Sequence, residues 1–146
     1  MKFKVSRLIL QALGLVFLLA VTVYILSRWQ SLPIEIPANF DAAGRPRSYG
    51  PKSSLIPLLV ISWVAYGLFT VLSYFPRFWN LPVRTPRAYQ IAGILMPVLG
   101  LMIALIFGWV AFRSAQGQGL GSWFMPVVLA GVLVPLLVLI VGGLQK

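Results

Sequence analysis

The stretch Leu32–Lys52, LPIEIPANFDAAGRPRSYGPK, is the one long polar insertion in a chain that otherwise alternates apolar runs with short connectors. It holds Pro33, Pro37, Gly44, Pro46, Gly50 and Pro51, and also both acidic residues, Glu35 and Asp41. Prolines remove backbone donors and fix φ, so this spacing predicts neither a helix nor an ordinary strand. The segment 28–53 therefore reads as an irregular loop that folds back on its neighbours. Leu32–Pro37 is expected to run extended. Asn39 or Asp41 is expected to bond nearby backbone, and Gly44 to take a positive φ that reverses the chain. Leu32, Ile34, Ile36, Phe40 and Tyr49 are the expected apolar anchors. Arg45, Arg47 and Lys52 are ion partners within reach of Asp41, each worth about 0–1 kcal/mol if exposed.

Outward from the loop, the sequence is strongly apolar. Of 146 residues, 60% are hydrophobic and 10% charged, and the mean hydropathy is +0.93. A soluble domain of this length cannot bury so much apolar surface, so lipid is the expected cover. Leu8–Leu26 carries no charge and as a helix would reach roughly 28 Å, close to the hydrocarbon thickness. No small-x-small cleavage pattern follows it, so it reads as a retained first span rather than a signal peptide. Ser54–Phe75, Ala88–Phe112 and Trp123–Leu144 give three more spans. The predicted fold class is an all-α integral membrane protein: one domain, residues 1–146, of four transmembrane helices, with the long loop 28–53 between the first two.

The connectors fix the expected orientation. Lys2, Lys4, Arg7, Arg77, Arg84, Arg87 and Lys146 would share one side, against Arg28, Arg45, Arg47, Lys52 and Arg113 on the other. The larger set is expected to be cytoplasmic, which puts both termini inside a bacterial cytoplasmic membrane and the loop outside. Trp29, Trp109 and Trp123 would mark the outer interface, and Tyr74, Phe78, Trp79 and Tyr89 the inner one. Pro76–Arg87 reads as a compact headgroup-level turn, and Arg113–Ser122, RSAQGQGLGS, as a flexible polar one. Its glycines follow no phosphate-binding pattern. Gly100, Ala104 and Gly108 stand four residues apart on the third span. They let another helix approach closely, either within this chain or across a homo-oligomer seam.

Composition also excludes chemistry. There is no Cys and no His, which removes disulfides, thiol catalysis, histidine acid–base chemistry and thiolate or imidazole metal sites. The +10 net charge lies in the flanks of apolar runs, where topology and anionic lipid account for it, so no nucleic-acid partner is expected. The spans contain no internal ionisable group, which disfavours coupled transport. Ser53 and Ser54 beside Lys52 lack any fixed nucleophile–base geometry, and read as helix-capping serines after a snorkelling lysine. No catalytic residue, metal or cofactor is expected.

The loop resembles that of a bacterial membrane family, the domain of unknown function 1648. Its pattern is approximately LP-x-x-IP-x-H-[FW]-x-x-x-G-x-x-D-x-[YW]-x-x-K between the first two helices. Leu32, Pro33, Ile36, Pro37, Phe40, Gly44, Tyr49 and Lys52 match in order. Asn39 replaces the usual histidine and Arg47 a frequent aspartate. The resemblance reaches membrane immunity proteins that sense a killing peptide. It implies a recognition or sensor protein whose candidate ligand residues are Asn39, Asp41, Arg45, Arg47 and Lys52, on a scaffold of Pro33, Pro37, Phe40, Gly44 and Tyr49. Its partner would be an extracytoplasmic peptide or a membrane protein. A structural or regulatory subunit docking through the third helix is the alternative, and an oligomeric permease or channel ranks below both.

Overall fold

The computed structural model describes residues 2–144, without the side chains at positions 2–4 and 78. Lys146 and the side chains of Lys2 and Lys4, which carry part of the expected charge bias, and the Phe78 side chain, placed in the expected inner belt, lie outside the described residues. Four helices dominate: α1 (Lys2–Ser27), α2 (Leu55–Leu72), α3 (Pro86–Ala115) and α4 (Phe124–Leu144). Each is long and apolar enough to cross a membrane, as the hydropathy of the sequence requires. The chain is a multi-pass membrane-type protein, mostly helical, in agreement with the expected class.

The long insertion differs from its expected form. It folds as an antiparallel hairpin of β1 (Glu35–Phe40) and β2 (Pro46–Pro51), pairing Glu35 with Pro51, Ile36 with Gly50, Pro37 with Tyr49, Asn39 with Ser48 and Phe40 with Pro46. The prolines are tolerated because a two-stranded ribbon is all edge. Pro46 and Pro51 are the end residues of β2, and the register is irregular just after Pro37, so a missing N–H interrupts little of the ladder.

α3 is the hub, with α1, α2 and α4 all packed along it. Its ridge of small residues explains how one helix can seat three. Ala88, Ala92, Gly100, Ala104 and Gly108 are all buried and all lie at multiples of four. Each step of four advances about 400° on a 3.6-residue helix, a drift of about 40°. Between Ala88 and Gly108 the ridge thus winds through about 200°, from one flank of α3 to the opposite one. At its lower end Ala88 and Ala92 pack with Leu139 of α4, and Ala88 sits against Gly143. Further along, Ala104 packs with Leu18 of α1 and Tyr66 of α2, and Gly108 lies under the Phe17 ring. Gly131 and Gly142 bring α4 close to Met102 and Ile91.

Polar side chains in the spans bond both within and between helices: Ser62 Oγ donates to the Leu58 carbonyl and Thr22 Oγ1 to the Leu18 carbonyl of their own helices, and others join two helices. Trp63 Nε1 donates to Thr22 Oγ1 at 2.9 Å, Tyr74 OH to Gln11 Oε1 at 2.9 Å, and Tyr66 OH to the Gln11 carbonyl. Gly14 leaves room for the Tyr66 ring: a Cβ there would stand 2.8 Å from Cε1. In lipid such bonds contribute about 0.6 kcal/mol each on average, and they fix which faces of α1 and α2 meet.

α3 contains 30 residues and is about 45 Å long, more than the roughly 30 Å of a hydrocarbon core. Its last turns, through Ala111 and Ala115, stand beneath the hairpin as a pedestal.

Candidate functional site: the hairpin and its groove

The hairpin is seated by its first strand. Ile36 is 1% exposed and Leu32 8%. Both pack with Val21 and Ile25 of α1, Leu55 and Leu59 of α2, and Ala111 and Ala115 of α3. Pro37 is also fully buried. Ile34 and Tyr49 differ from their expected role as anchors, being 83% and 58% exposed. The chain bends at Leu32 and again at Ile34, which breaks the alternation that would have placed Ile34 with Ile36. Tyr49 lies on β2, whereas β1 is the strand next to α3. Phe40 is half-buried. Ile36→Ala is expected to cost about 2–5 kcal/mol of local seating, as large-to-small core changes do. Faster amide exchange in β1 with unchanged helix protection would show it; unchanged β1 exchange would contradict this seat.

The tip turn is built by Asp41 and Gly44. Asp41 Oδ1 accepts from the Ala43 and Arg45 amides, both at 2.9 Å, and the Gly44 amide donates to the Asp41 carbonyl at 2.9 Å. Gly44 has φ +78°, the left-handed conformation expected of it. Its carbonyl accepts from the Leu120 amide at 2.7 Å. A Cβ on Gly119 would stand 2.8 Å from that carbonyl oxygen, and one on Gly44 would overlap the Gly121 backbone. Two backbones meet here with no room for side chains. The segment after α3 is accordingly fastened rather than flexible. Arg113 Nε donates to the Gly119 carbonyl at 2.7 Å and Trp109 Nε1 to the Leu120 carbonyl at 3.0 Å, and Leu120 is buried. The three glycines of RSAQGQGLGS were the only sequence signal for this contact.

The base of the hairpin is closed by Lys52. Its Nζ donates to the Trp29 carbonyl at 2.7 Å and stands 5.2 Å from the Trp29 ring centroid, an arrangement with cation–π character. The Lys52 ammonium is thus held at the hairpin base by the turn that follows α1. Ser54 holds the N-cap position of α2, but its hydroxyl donates back to the Pro51 carbonyl at 2.7 Å instead of capping the helix, because the turn Lys52–Ser54 already leads into α2.

The five candidate ligand residues therefore separate. Asp41 holds the turn and Lys52 the base. Asn39 is exposed on β1, and its Nδ2 donates to Ser48 Oγ across the hairpin at 3.0 Å. Arg45 and Arg47 are exposed at the tip and on β2. Between β1 and the helices runs a groove of about 330 Å³, walled by Asn39 and Phe40 on one side and by Ser54, Leu58, Val110 and Ser114 on the other. Gly100, Ala104 and Gly108 lie elsewhere, under α1 and α2. Pro33 faces Gly117, which joins the start of the hairpin to the segment after α3.

Residues 15–62 match the family model DUF1648, a domain of unknown function. The matched segment runs from mid-α1 through the hairpin into α2, so it contains the α1, hairpin and α2 parts of the seat and most of the groove, but not Ala111 and Ala115 of α3. It bears out the resemblance carried by Leu32, Pro33, Ile36, Pro37, Phe40, Gly44, Tyr49 and Lys52. An uncharacterized protein of the archaeon Archaeoglobus fulgidus is 25% identical over 139 residues, spanning 84% of this chain and 76% of its own. That likeness extends beyond the DUF1648 segment into the helices that support it. No solved structure matches the chain.

Proposed function

We propose that the protein is a non-enzymatic membrane protein that recognises a peptide segment, free or part of another protein, through the exposed side of its DUF1648 hairpin. The observation that carries this reading is the contrast between the two sides of the hairpin. One is locked to the bundle by Ile36, Leu32, the Gly44–Leu120 bond and Lys52, while Ile34 at the base, Tyr49 and Arg47 on β2 and Arg45 at the tip stay exposed. A rigidly held face with exposed apolar and cationic groups loses little entropy on binding and favours an acidic, partly apolar partner. The residue supply supports a non-catalytic role, since the groove offers amide and hydroxyl groups but no carboxylate, imidazole or thiol. The charge bias of the connectors supports a cell-membrane topology with both termini cytoplasmic and the hairpin outside. A killing-peptide immunity or sensor role would be one form of this recognition.

The test is photocrosslinking from position 49 in native membranes. The combined variant Asn39→Ala, Arg45→Gln, Arg47→Gln leaves the seat and turn untouched. Its capture of the crosslinked partner is expected to fall roughly ten-fold at equal membrane abundance, the sum of two exposed charges and an amide. Undiminished capture would remove the hairpin face from the recognition surface.

A second reading, a subunit of a membrane complex, is favoured by α4. Among the helices this one packs chiefly on α3, with the connector residues Val83 and Thr85 at its end, and it exposes Val127, Leu133, Leu137 and Val141 along its length. Docking through Gly100, Ala104 and Gly108 is not open to such a partner, because α1 and α2 already occupy that stripe.

A further inference from the structure

At the opposite end of the bundle from the hairpin, the start of α1, the end of α2 and the start of α3 line a half-open cavity of about 590 Å³. Its polar wall carries Arg7, Ser73, Tyr74 and Gln90, and its apolar wall includes Gly93 and Ile94. The Arg7 guanidinium lies over the Tyr74 ring, 4.1 Å from the centroid. Its Nε is buried and has no hydrogen-bond partner among the described residues. The deficit cannot be met by the chain's acidic side chains, because Glu35 and Asp41 are both in the hairpin at the far end. A cation in a part-apolar cavity with no carboxylate beside it among the described residues is costly, and an orphaned buried donor adds to that cost.

Three features narrow the class of anion. Trp79 and Tyr89 stack at 6.3 Å, and with Tyr74 they form the aromatic collar found at headgroup depth. Trp79 Nε1 is bonded to the Leu72 carbonyl at 2.7 Å, so this wall is fixed rather than collapsible. Gly93 leaves the floor bare: a Cβ there would meet nothing within 4 Å. A small hydrated anion would leave that apolar floor unfilled, whereas a phospholipid would cover it with an acyl chain.

We propose that this cavity binds one anionic phospholipid, its headgroup phosphodiester paired with Arg7 and its proximal acyl chain laid along Gly93 and Ile94. The site is separate from the hairpin and does not depend on the recognition reading. Basic pockets between membrane helices recognise lipid headgroups by this combination of charge and apolar wall.

Native mass spectrometry of the detergent-purified full chain, titrated with phosphatidylglycerol or phosphatidylcholine, tests it. One phosphatidylglycerol is expected to bind about five-fold or more tightly than phosphatidylcholine, the scale of one cation's attraction at a membrane surface. Arg7→Gln should abolish that preference, and Arg7→Lys should restore part of it. Gly93→Phe should fill the floor and remove the bound lipid of either kind while helix content is kept. Millimolar inorganic phosphate should not displace the lipid. Equal binding of the two lipids by the unaltered protein, or an unchanged preference in Arg7→Gln, overturns the proposal. Retention of the lipid by Gly93→Phe overturns the acyl-chain placement. Displacement by inorganic phosphate would show a free-anion site instead.

Discussion

Replacing Gly44 by valine is expected to free the hairpin tip from the segment that follows α3. Two independent effects act together. The φ of +78° is left-handed, which costs an L-residue about 1–2 kcal/mol and a β-branched one more. The new Cβ would also overlap the Gly121 backbone, and backbone, unlike the end of a flexible side chain, cannot swing aside. Overpacking of this kind costs about 1–3 kcal/mol. The measurement is hydrogen exchange at the Leu120 amide, which donates to the Gly44 carbonyl at 2.7 Å. Its protection should fall at least ten-fold, alongside that of the Ala43 and Arg45 amides, while α2 stays protected. Unchanged protection at Leu120 would mean that the tip is held by other contacts. Because the proposed recognition face sits on the same hairpin, the variant is also expected, under that proposal, to weaken partner capture from position 49 without altering any exposed residue.

Gly108→Leu is expected to unseat α1 from α3. A side chain at this position would run into the Phe17 ring, which packs on the edge of the cluster holding Val21, Ile25, Ile36 and Leu55. Displacing the ring costs about 1–3 kcal/mol, enough to lower the thermal midpoint of the detergent-solubilised protein measurably. The strain has a stated partner, so Phe17→Ala in the same chain should return most of the loss. The coupling between the two changes should be of the order of 1 kcal/mol or more. Gly67→Leu is the control: a Cβ at Gly67 meets nothing within 4 Å, so leucine there should be neutral or slightly stabilising in a helix. Equal destabilisation at 67 and 108, or no rescue by Phe17→Ala, would contradict the α1–α3 interface.

The spans were legible in the sequence because hydropathy is carried residue by residue. An uncharged run such as Leu8–Leu26 is long enough to cross a bilayer wherever its neighbours lie. The Gly44 reversal and the Asp41 turn were legible for the same reason, since a left-handed glycine and an Asx turn are settled within a few residues. The small residues of α3 announced close packing, but not that their drift around the helix would serve α4 at Ala88 and α1 at Gly108. The hairpin was hidden by its prolines. Pro37, Pro46 and Pro51 disfavour a strand in the middle of a sheet, but a ribbon whose strands are all edge tolerates them. The anchors were half-legible: Leu32 and Ile36 are seated, but the bends at Leu32 and Ile34 turned Ile34 outward, and β2 lies outside β1, which leaves Tyr49 exposed.

Four helices long and apolar enough to cross a membrane, one polar insertion with a glycine reversal, a residue supply poor in catalytic groups, and the DUF1648-like spacing from Leu32 to Lys52 are readable from the residues alone. That the insertion is a hairpin, that Asp41 and Lys52 brace it while Arg45 and Arg47 stay exposed, and that Arg7 faces a cavity with no acidic side chain of this chain beside it emerge only in the packed fold. The physical reason is the range of the contacts. Hydropathy and turn chemistry act over a few neighbouring residues, whereas the meeting of Gly44 with Leu120, or of Gln11 with Tyr66 and Tyr74, joins positions far apart in the chain. Such meetings exist only once the helices have packed.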